Sequence, residues 1–151
     1  MPFLRKKLVG SAICIAVMLS NGSASAVPAC DDINLALASS GKFSEWRGKK
    51  TDDNVWNTTH EIFGFTQCEI VNRDFRCRRQ TSGSLDLAKA DYTATRGLVE
   101  ACLPKSEWRH SPGTDSLPSQ RFLHPDGRNG FVALIKLVDT YWLQLTIFER
   151  F

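Results

Sequence analysis

Apolar residues fall into three kinds of pattern along this chain. Leu8 to Leu19 is a short, charge-free apolar run of 12 residues. Residues 31–40 carry Ile33, Ala36 and Leu37 at helical spacing, with Asp31-Asp32 as a cap and Gly41 as a stop. Residues 85–103 repeat that spacing through Ala88, Tyr92, Thr95, Leu98, Val99 and Cys102, after Ser82-Gly83-Ser84 and before Pro104. Strand-forming residues dominate 60–70, 75–81, 120–124, 131–138 and 141–149, with a short piece at 107–110.

These elements predict one α+β domain. Two helices pack on an antiparallel sheet in the order α-ββ-α-βββ, with the short 107–110 strand as an addition after the second helix. Residues 41–58 are polar and read as a loop pinned by Trp46 and Trp56, and residues 105–120 read as a long irregular connection.

The last hairpin, with its turn placed at Asp139-Thr140, has two apolar faces. Successive strand residues point to opposite sides. Val132, Leu134, Leu143, Leu145 and Ile147 share one side and make an ordinary core. Phe131, Ala133, Ile135, Leu137, Trp142 and Phe148 share the other, with only Gln144 and Thr146 polar. A sheet with one wet face alternates more cleanly. Either helices and loops cover both faces, or the second face docks a partner through Phe131, Ile135, Trp142 and Phe148, including a second copy of the chain as a homodimer.

The first apolar run changes the compartment. Arg5, Lys6 and Lys7 precede it, Ser20-Asn21-Gly22 breaks it, and Ala24-Ser25-Ala26 follows. This three-part pattern is that of a secretory signal peptide over residues 1–26. It is too short for a spanning helix, which takes roughly 20 apolar residues. Residues 27–151 are then a single exported domain, periplasmic or extracellular, with no later membrane span. Removing three of the 19 basic residues, and none of the 16 acidic ones, leaves that domain neutral. A neutral domain lacks the electrostatic footprint of a nucleic-acid binder. Arg73, Arg76, Arg78 and Arg79 cluster within one segment, read as a solvated hairpin edge in preference to an anion or partner site.

Export makes the cysteines informative. Cys14 departs with the signal, leaving Cys30, Cys68, Cys77 and Cys102 as two disulfides. A two-residue turn at Asn72-Arg73 pairs Val71 with Asp74, Ile70 with Phe75, Glu69 with Arg76 and Cys68 with Cys77. Counting along the ladder places the two cysteines at a non-hydrogen-bonded pair, where side chains are closest. Cys30 and Cys102 are left for each other. Neither C-x-x-C nor H-x(3–5)-H occurs, so no metal and no other cofactor is expected.

Catalytic chemistry has few candidates. His60, His110 and His124 are the histidines, with Arg109, Arg121 and Arg128 beside the last two. Any two of them in one cleft would allow general acid–base cleavage by a small, nuclease-like secreted hydrolase. The spacing specifies no such cleft. The leading expectation is therefore a non-catalytic exported binding protein with a protein partner, such as an inhibitor, immunity factor or envelope adaptor.

Overall fold

A computed structural model describes residues 28–81 and 83–150; the signal-peptide expectation for residues 1–26 lies outside them. The chain order is helix α1 (Pro28–Ala38), a 3-10 turn (Phe43–Trp46), strands β1 (Lys50–Asp52), β2 (Val55–Asn57), β3 (Gln67–Val71) and β4 (Asp74–Gln80), helix α2 (Leu85–Cys102), then β5 (Arg109–Pro112), β6 (Ser119–Leu123), β7 (Asn129–Leu137) and β8 (Thr140–Ile147). The strands form one antiparallel sheet in the spatial order β1-β2-β3-β4-β8-β7-β6-β5. It is two four-stranded meanders, separated in sequence by α2, whose last strands β4 and β8 pair.

The α+β class with two helices holds, while the strand count is corrected. Residues 50–57 form a hairpin where the polar sequence reads as loop, turning at Asp53-Asn54 with Asn54 at φ 59°. Residues 60–66 are not strand, and β3 begins only at Gln67. The irregular 105–120 segment contains β5 and closes a β5–β6 hairpin. There a Cβ on Gly113 would stand 1.7 Å from Ser119 Oγ, so the close approach requires glycine. The edges β1 and β5 carry Lys50, Asp52 and Pro112, which suit unpaired strands.

Both helices lie on one face. Ile33, Ala36 and Leu37 of α1 and Ala88, Tyr92 and Val99 of α2 join Ile70, Phe75, Val132, Leu134, Leu143, Leu145 and Ile147 in a single core. α1 starts at Pro28, a residue suited to the first helical position, three residues before the expected cap. Asp32 instead accepts the Phe63 N–H at 2.8 Å, tying the 62–65 loop to the helix. Ser84 caps α2 by accepting the Leu87 N–H. Leu98, assigned by spacing to the buried side, is 48% exposed, because its position lies at the edge of the buried arc.

Two disulfides close the helix side. Cys30–Cys102 joins α1 to α2, with Cα atoms 5.1 Å apart. Cys68–Cys77 bridges β3 and β4 at 4.1 Å, and the ladder pairs Val71–Asp74, Ile70–Phe75 and Glu69–Arg76 as the turn count requires. Both bonds are consistent with an exported protein. The β7–β8 turn is Val138-Asp139, with Leu137 paired to Thr140. Its shift of two in pairing leaves every side chain on its expected face, since the strand period is two.

Candidate functional site

The face of the sheet opposite the helices is the candidate site. On β7 and β8, Phe131 stands opposite Thr146, Ala133 opposite Gln144 and Ile135 opposite Trp142. These positions alternate with Val132, Leu134, Leu143 and Leu145, which point into the core. Phe131, Ile135, Trp142 and Phe148 are each half-buried, while Ala133 and Thr146 between them are buried. Among the described residues both helices sit on the other side, so these side chains are screened by one another and by the flanking strands. Leu137 continues the apolar column to the hairpin tip, where Val138 is 91% exposed.

The arginines of β4 divide between the two faces. Arg79 points to the helix side, where its guanidinium donates to Asp91 at 2.7 Å and to Thr95 at 2.9 Å on α2. Arg76 and Arg78 point to the other side, opposite Thr146 and Gln144. β4 lies between β3 and β8, so the expected hairpin edge is corrected to an interior strand. Arg78 Nε donates to Gln144 at 2.9 Å, and Glu69 lies 3.6 Å from Arg78 and 4.0 Å from Arg76. Burial, followed by the charge of Arg78, lowers the Arg76 pKa from its ordinary value. Across β7, Arg121 stands opposite both Phe131 and Ser111, and its guanidinium lies 5.9 Å from the Phe148 ring centre. Residue spacing on β4 carries the signal for its two facing arginines. Nothing in sequence brings Arg121 to them.

The three histidines have separate neighbours. His60 stacks parallel on Trp46 at 3.8 Å, and Trp46 contacts Phe75 of β4 edge-on. His110 packs on Phe122 of β6, and β8 and β7 lie between that strand and β4. His110 Nε2 is 2.8 Å from the Leu103 carbonyl oxygen, an acceptor only, so Nε2 donates its proton to the end of α2. His124 is in the β6–β7 turn, with Nδ1 2.8 Å from Asp126 and its ring 4.9 Å from Trp108. It borders a cavity of about 540 Å³ with Lys105, Arg109 and Trp108. Asp126 is held at a pKa of about 2, chiefly by the Arg128 backbone N–H, then by the side chains of His124 and Arg128.

Among the described residues no three His, Cys, Asp or Glu side chains are grouped as a metal would require. No helix there is long and apolar enough to cross a membrane. No family model, curated protein or solved structure matches this chain, so its functional reading rests on geometry.

Proposed function

We propose that the chain is a non-catalytic exported binding protein of the periplasm or extracellular space. It acts on a protein partner through the sheet face that bears no helix, as an inhibitor, immunity factor or envelope adaptor. One observation carries this reading: Phe131, Ile135 and Trp142 share that face, with Phe148 at the end of β8, and Arg76, Arg78 and Arg121 flank the aromatic patch. Aromatic and arginine side chains together are the usual energetic anchors of protein interfaces.

A hydrolase has less support. His110 spends one ring nitrogen on the Leu103 carbonyl, and His60 stacks on Trp46. His124 with Asp126 forms one oriented pair, without a second histidine among its neighbours.

The test is capture of partners from cells that export the tagged chain with its own leader. Trp142→Ala is expected to lose a stoichiometric partner while the far-UV spectrum stays unchanged. Phe63→Ala, on an exposed side chain of the helix side, is expected to keep it. Retention of the partner by Trp142→Ala refutes the proposed surface.

A further inference from the structure

The open face has an ordered charge pattern as well as apolar anchors. Its middle lane is the β7–β8 hairpin, with Phe131, Ile135 and Trp142. β4 supplies Arg76 and Arg78 on one flank. β6 and β5 supply Arg121 and Arg109 on the other. Register aligns Arg76, Thr146, Phe131 and Arg121 in one row across four strands. Phe131 therefore lies between guanidinium groups on both flanks, and Ile135 and Trp142, beside Gln80, continue the apolar lane past them.

The nearby carboxylates are already engaged. Glu69 is shared by Arg76 and Arg78, and the charge of Asp74 also acts on Arg76. Asp74 accepts the Glu149 N–H, and Glu149 pairs with Arg73. Asp115 accepts from Ser119, and Asp126 is surrounded by Arg128, His124 and Arg150. Arg121 and Arg109 have no ion pair among the described residues. The face thus presents a surplus of cations although the exported domain as a whole is neutral.

Its shape narrows the occupant. Two hollows meet at Arg121: one of about 560 Å³ reaches Phe148 and Asn129 and is bordered by the engaged carboxylates Asp74, Asp126 and Glu149, the other of about 400 Å³ reaches Ser111, Phe131 and Asp115. The aromatic anchors are half-buried between the strands that flank them. A flat lipid surface cannot follow such hollows, whereas side chains of a polypeptide can enter them.

We infer that the partner presents an acidic polypeptide segment with apolar residues between its carboxylates. Its apolar side chains sit on the Phe131–Ile135–Trp142 lane, and its carboxylates reach Arg76 and Arg78 on one flank and Arg121 on the other. This rests on the binding-protein reading above and adds the sign and layout of the partner's charge. Paired charges at such a rim set specificity and association rate more than total affinity.

The experiment uses two short synthetic amphipathic peptides with one apolar pattern, one built from Glu and Leu, the other from Lys and Leu. Binding to the purified exported protein is followed by NMR of the arginine Nε and tryptophan indole signals. The Glu/Leu peptide is expected to bind about tenfold more tightly, an advantage that shrinks with added salt. Its shifts fall on Arg76, Arg78, Arg121 and Trp142. Arg121→Glu, at an exposed position, removes most of the preference, and Arg78→Glu with Arg121→Glu reverses it. Trp142→Ala weakens both peptides alike. Equal affinity for the two peptides in the wild-type protein, an unchanged preference in Arg121→Glu, or stronger binding to phosphatidylglycerol vesicles than to the Glu/Leu peptide each overturns the inference. A natural partner lost by Trp142→Ala but kept by Arg121→Glu preserves the binding surface and discards the acidic segment. A partner kept by both variants discards both.

Discussion

Ile135 and Trp142 stand opposite each other in the β7–β8 ladder, on the side of the sheet away from both helices. One residue further from the turn on each strand, Leu134 and Leu143 form the equivalent pair inside the core. The two pairs separate binding from stability. Trp142→Ala is expected to cost only about 1–2 kcal/mol in urea unfolding, because the ring is half-buried. Leu143→Ala, fully buried, is expected to cost about 2–5 kcal/mol. A larger loss for Trp142→Ala than for Leu143→Ala contradicts this division.

The two disulfides close loops of unequal length. Cys30 and Cys102 are 72 residues apart, Cys68 and Cys77 only nine. In the chain-entropy model the longer loop contributes about 4 kcal/mol and the shorter about 3. Replacing Cys30 and Cys102 together by alanine should therefore lower stability more than the matching Cys68/Cys77 replacement. Denaturant unfolding of the two double variants under oxidising conditions reads this order directly.

Val138 occupies the first position of the β7–β8 turn at φ 57°, and is 91% exposed. A β-branched residue is unfavourable in left-handed backbone, where Gly and Asn are at home. The equivalent first position of the β3–β4 turn holds Asn72, also at φ 57°. Val138→Asn is expected to stabilise the fold by about 1 kcal/mol, seen as a higher urea midpoint. An unchanged or lower midpoint means that Val138 gains compensating contacts at the tip.

Asp126 gives the turn 124–128 a pH dependence. Its folded pKa of about 2 lies below the ordinary carboxylate value of 3.8, chiefly through the Arg128 N–H. A depressed carboxylate pKa stabilises the fold above the unfolded value and loses that contribution as pH falls toward the folded value. Asp126→Asn should therefore melt at lower temperature than wild type at pH 7. The gap should close between about pH 4 and pH 2. Melting curves across that range check it, and a gap undiminished at pH 2 contradicts the assignment.

His110 is expected to act structurally. Its Nε2–H satisfies the Leu103 carbonyl just beyond α2. His110→Ala should destabilise by about 1–2 kcal/mol, and His110→Gln should recover part of that loss if its amide reaches the same oxygen. Thermal melts of both variants measure this.

Much of this protein was legible locally. The α2 helix follows from its spacing, its Ser84 cap and Pro104. The β3–β4 hairpin follows from one two-residue turn, which also brings Cys68 to Cys77. The faces of β7 and β8 survived a misplaced turn, because an error of two residues preserves alternation. What escaped was weakly patterned. β1 and β2 have few apolar residues, and their hairpin is held by pairing with β3 more than by its own sequence.

Sequence alone determined local facts about this chain: which residues alternate, where turns interrupt them and which cysteines can meet. Those depend on neighbours in the chain and on the fixed periods of helix and strand. Tertiary structure decided which face the helices cover, and that β4 lies inside the sheet beside β8. It also brought Arg121 to the same surface as Arg76 and Arg78. Those relations join residues as far apart as Phe75 and Ile147, 72 positions, through strand pairing, and no local period encodes the partner a strand selects.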